Sequence, residues 1–70
     1  MNINGQKVIV VGTGKSGIGS AVLLEQNGAL PILYDGNDKV NIEEVKKTLT
    51  HKLGFDTKAQ IAAGAFPKEI

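Results

Sequence analysis

The chain contains no cysteine and no arginine. Without cysteine there is no disulfide, and with His51 as the single histidine there is no Cys/His set for a structural metal. Those are the usual supports of a chain of 70 residues, whose single core rarely supplies more than about 3–5 kcal/mol of net stability. A chain this short is expected to lean on a partner or to be a piece of something larger. All eight basic residues are lysines, so no planar guanidinium fork is present to grip a phosphate bidentately. Phosphate held here relies on backbone N–H groups, hydroxyls and lysine. Charge of one sign is also missing. A formal net charge of +1 leaves no electrostatic footprint for nucleic acid or an anionic membrane. The apolar runs are too short to span a bilayer, and no basic stretch followed by an apolar one marks the start as a signal peptide. Together with the missing cysteine, this leads us to expect a cytoplasmic protein.

What is present is an alternation. Val8-Ile9-Val10-Val11 is a continuous β-branched run, as in a parallel strand covered on both faces. From Ser16 to Asn27 the spacing turns helical: Ile18, Ala21, Val22 and Glu25 fall at i, i+3, i+4 and i+7, with Glu25 the one polar member. Gly28 stands where a left-handed residue ends a helix. Leu30 to Tyr34 reads as a second strand with Pro31 at its beginning, since proline cannot donate to a ladder. Asn41 caps a second helix whose apolar face is Ile42, Val45 and Leu49 and which ends near Lys52 to Gly54. Lys58 to Ala63 is a third, weaker strand broken at Gly64, and Phe66-Pro67-Lys68-Glu69 reads as the start of another helix.

The order β-α-β-α-β implies an α/β, Rossmann-like, three-layer parallel sheet with right-handed crossovers, of which this chain is a fragment. In a sheet of order 3-2-1-4 the first strand is central. Here no fourth strand covers it, so Val8 to Val11 is expected either to self-associate or to pair with further sequence. We favour further sequence and expect an N-terminal fragment.

The turn between the first strand and the first helix reads Gly12-Thr13-Gly14-Lys15-Ser16-Gly17. A G-x-G-x-x-G string that follows a strand and opens a helix is a phosphate-binding turn. Gly12 permits the tight bend, Gly14 lets a phosphate approach the backbone, and Gly17 lets helix and strand pack closely. The helix start supplies N–H groups and a partial positive charge, to which Lys15 and the Ser16 hydroxyl can add. Asp35 closes the second strand 18 residues after Gly17, where a carboxylate accepts from ribose hydroxyls or a base N–H. The turn is not a Walker A loop, because Ile18-Gly19 stands where Lys-Ser/Thr is required. No nucleophile and base can be assembled, so no catalytic residue is assigned. His51 with Lys46, Lys47 and Lys52 reads as a solvated helix end, Tyr34 as strand core and Asp56 as loop.

The string Val10-Val11-Gly12-Thr13-Gly14-Lys15-Ser16-Gly17 resembles the opening of the Mur ligases, and most closely of those that add D-glutamate. The resemblance continues through Leu23-Leu24, Asn27-Gly28-Ala29, Tyr34-Asp35, Gly54-Phe55 and Gly64-Ala65-Phe66-Pro67. It implies that residues 1–70 are an incomplete N-terminal domain holding the UDP part of a UDP-muramoyl substrate in peptidoglycan synthesis. The phosphate-contacting turn then falls on Gly14, Lys15, Ser16 and Gly17, and the uracil- and ribose-contacting positions fall on Asp35, Gly36 and Asn37. ATP and Mg²⁺ are implied for the full-length enzyme, bound by a separate domain, with D-glutamate on a third, so the fragment itself holds no cofactor and is not catalytic. Thr13 replaces the usual Leu, and Gly36 removes a side chain that often carries a hydroxyl. On the residues alone a second reading stays open: half of an NAD-binding domain of a dehydrogenase or regulatory protein.

Overall fold

The computed structural model describes residues 3–64. Five elements follow one another: β1 (Lys7–Val11), α1 (Lys15–Gln26), β2 (Leu30–Asp35), α2 (Ile42–Leu53) and β3 (Gln60–Ala63). The strands form one parallel sheet in the order β1-β2-β3. This is the β-α-β-α-β fragment expected, with β3 beginning two residues later than its composition suggested. The predicted helix at Phe66 to Glu69 lies outside the described residues.

Local chemistry accounts for the element ends. At the end of α1 the Ala29 N–H donates to the Leu24 carbonyl at 3.0 Å and the Gly28 N–H to that of Glu25 at 3.0 Å. This is the paired bonding that closes a helix when a left-handed residue follows it, and Gly28 has φ of +87°. In α2 the Asn41 side chain accepts from the Glu44 N–H at 3.1 Å, and a left-handed Gly54 ends the helix. Pro31 is placed without loss. Leu30 donates to Gln6, and the Tyr34 carbonyl accepts from Gly12, so even-numbered residues of β2 bond toward β1. Pro31 therefore faces the β3 side, one residue before that pairing starts at Ile32.

Both crossovers run in the same direction, and the two helices pack on each other and on one face of the sheet. Leu33, Ala21, Leu49 and Val45 form the core between the layers, with Val10, Ile18, Val22, Val40, Ala59 and Ile61 around them. Among the described residues the opposite face of β1 has no covering layer. Burial along β1 alternates, and Ile9 is 47% and Val11 77% exposed. The continuous apolar run suggested cover on both faces, and the described residues supply it on one. No helix among them is long and apolar enough to cross a membrane.

One polar contact fastens the layers. Glu25, buried on α1, accepts from the Thr57 hydroxyl at 2.6 Å and from the Lys58 N–H at 2.8 Å. Thr57 in turn accepts from the Ala59 N–H and donates its own N–H to the Thr50 hydroxyl. The polar member of the α1 pattern is thus a pin between α1 and the segment entering β3, and it satisfies the backbone of that loop.

Candidate functional site

The site is built where β1 and β2 end. The Gly12 N–H donates to the Tyr34 carbonyl at 2.6 Å, which extends the ladder by one residue. The chain then bends away through Gly12, whose φ of +103° belongs to a region that side-chain-bearing residues rarely adopt. It re-enters as α1, with Gly14 as N-cap and the Ile18 N–H donating to the Gly14 carbonyl at 2.9 Å. Gly17 sits on the first turn of α1 directly against Gly12, and a Cβ there would overlap the Gly12 carbonyl oxygen. Gly17 thereby sets how closely the helix start approaches the strand end.

Gly14 differs from both. Its φ is −74°, and a Cβ on it would meet nothing within 4 Å. Neither backbone conformation nor packing inside the chain requires glycine there. The two helix starts differ as well. α2 begins with a side-chain cap and with Glu43 and Glu44 in its first turn, which complement the helix dipole. α1 has no side-chain cap and no acid in its first turn, and its first residue is Lys15. Lys15, Ser16 and Gly14 are exposed. A cation at a helix N-terminus opposes the dipole, and the pair becomes favourable when an anion sits between them.

Asp35 ends β2 beside the turn, half-buried. Its Oδ2 accepts both from the Thr13 N–H at 3.1 Å and from the Thr13 hydroxyl at 2.9 Å. Its Oδ1 accepts from the Asn37 N–H at 2.9 Å. The Asn37 N–H, then the Thr13 hydroxyl and the Thr13 N–H, stabilise the ionised form and lower its pKa below the ordinary 3.8. Gly36 and Asn37 are exposed on the loop that follows. The Asn37 side chain accepts from the Lys39 N–H at 3.0 Å, so it shapes its own turn.

The structure therefore brings Gly14, Lys15, Ser16 and Gly17 to one ledge at the carboxyl ends of the strands, with Asp35, Gly36 and Asn37 beside it. The edge of an α/β sheet at these strand ends is where ligands of such folds bind. Thr13 was absent from the residues expected to matter. A threonine within two residues of a strand end, opposite an acid on the neighbouring strand, was the available signal. Tyr34, expected in the strand core, is half-buried and donates its hydroxyl to the Gly64 carbonyl at 2.6 Å. His51, Lys46, Lys47 and Lys52 are exposed on α2, and Asp56 lies in the loop after it. A groove of about 550 Å³ opens beside α1, lined by Lys15, Ile18, Gly19, Val22, Thr48 and Lys52.

Compared with curated proteins, the chain is 49% identical over its 70 residues to UDP-N-acetylmuramoylalanine--D-glutamate ligase of Lachnoclostridium phytofermentans. It is 47% identical over the same 70 residues to the ligase of that name from Lachnospira eligens. All of this chain is matched in both, and it spans 14% of the length of each. No family model matches the chain. No solved structure matches it.

Proposed function

Starting from a chain similar over its whole length to part of two such ligases, we propose that it is the UDP-holding part of an ATP-dependent enzyme. That enzyme joins D-glutamate to UDP-N-acetylmuramoylalanine in peptidoglycan synthesis, in the cytoplasm. The observation that carries the proposal is the start of α1: uncapped, without acid, led by Lys15 and fronted by the open Gly14. This arrangement costs the isolated helix stability and suits a diphosphate. In the proposed complex the N–H groups of Gly14 to Gly17 point at the phosphates. Lys15 supplies the compensating charge and the Ser16 hydroxyl a further donor. Asp35, Gly36 and Asn37 meet the nucleoside.

Residues 1–70 in this reading form an incomplete N-terminal domain whose task is to bind and orient. The acyl activation belongs to ATP and Mg²⁺ elsewhere in the longer protein. Among the described residues no three His, Asp or Glu side chains gather to hold a metal ion.

The test is an NMR titration of the chain with UDP and, separately, with NAD. Shifts at Gly14 to Gly17 and Asp35 that are larger with UDP are expected. A preference for NAD would move the assignment to a dinucleotide-binding half-domain, and silence with UDP would sink the nucleotide reading for this chain.

A further inference from the structure

An ionised carboxylate offers about four acceptor positions, two on each oxygen. In Asp35 both positions of Oδ2 are taken by the N–H and the hydroxyl of Thr13, and one on Oδ1 is taken by the Asn37 N–H. One position is left, on Oδ1. Two neighbouring ribose hydroxyls donating together need two open positions, one on each oxygen or two on one. Asp35 cannot offer them while Thr13 holds Oδ2. Gly36, the next residue, brings no side chain to replace the lost acceptor.

We propose that Thr13 is a specificity-determining residue of the nucleotide site. By tying Oδ2 of Asp35 to the turn, it lets the ribose be read through one hydroxyl rather than as a diol. The inference rests on the UDP reading above and narrows it. The ligand class selected is a nucleoside diphosphate held chiefly through its phosphates, against nucleotides gripped by the ribose. Thr13 has a second effect through the same contacts. It joins the bend between β1 and α1 to the end of β2, so the phosphate ledge and the nucleoside acceptor keep a fixed separation.

The test compares UDP, 2′-deoxy-UDP and 3′-deoxy-UDP binding to the full chain, to Thr13→Val and to Thr13→Ser. In the unsubstituted chain, removal of one hydroxyl is expected to weaken binding on the order of tenfold, as for a bond to a charged group, and removal of the other by less than about twofold. Thr13→Val keeps the backbone donor and opens one position on Oδ2, so both deoxy analogues are expected to lose affinity. Thr13→Ser restores the hydroxyl and the original asymmetry. Equal losses for both analogues in the unsubstituted chain, or no loss for either, would overturn the proposal without recourse to a variant. So would a Thr13→Val protein that folds and keeps the one-hydroxyl pattern. Absence of UDP binding altogether is a different result, the failure of the nucleotide reading itself.

Discussion

Gly14 and Gly17 belong to one turn and are glycine for opposite reasons. The Cβ position of Gly17 is filled by the Gly12 carbonyl, whereas that of Gly14 opens on solvent. Gly17→Ala is therefore expected to destabilise the chain by about 1–3 kcal/mol, the cost of forcing backbone apart in a packed region, as read by urea unfolding. Gly14→Ala at φ −74° should leave stability nearly unchanged and act on ligand binding. Asp35 gives a pH prediction at the same scale. Its carboxyl loses its proton more readily folded than unfolded, because Asn37 and Thr13 donate to the ionised form. Its contribution is then present above the ordinary value of 3.8 and lost as pH falls from there through the lower folded value. Denaturant titrations across that range should show stability falling with pH, and less steeply in Thr13→Val. An unchanged slope in the variant would remove Thr13 from the cause.

At the scale of elements, most of the framework was legible. The helix boundaries came within a residue because their signals are local: Asn41 and Glu44 at one end of α2, Gly54 at the other, Gly28 after α1. β1 was legible as a β-branched run and β2 as a short apolar one, and β3 was the least sharp because Ala62 and Ala63 carry little β preference. What escaped were contacts between residues distant in sequence. The Gly turn announced a ledge, yet the pairing of Thr13 with Asp35 across 22 positions follows only once β1 and β2 are set side by side in register. Glu25 stood out as a polar residue on an apolar face, but its partners lie 32 and 33 residues away in a loop without pattern. Glu25→Ala should strand the buried Thr57 hydroxyl at a cost of about 1–3 kcal/mol, and the Lys58 N–H, on an exposed residue that water can reach, at a smaller one. Thermal unfolding of that variant beside Glu25→Gln, which keeps one acceptor oxygen, would show a graded loss. Equal stability of the two would mean that the loop finds other partners.

At the scale of the whole molecule, two helices among the described residues cover one face of the sheet, and β1 stands at its edge with Ile9 and Val11 exposed on the other. An edge of this kind pairs with whatever strand reaches it. The 70-residue chain on its own is expected to self-associate through Val8 to Val11. Val11→Lys, on the exposed face, should shift sedimentation profiles toward monomer, and an unchanged profile would place the contact elsewhere. The Glu25 pin has a different reach, one that concerns time rather than strength. Its two bonds close a loop of more than thirty residues, and such closures are slow relative to turns and helices. The pin itself is complete only when the last turn of α1 has formed and presents its carboxylate. The Lys58 amide hydrogen is therefore expected to exchange with solvent in step with those of α1 rather than with those of its own loop.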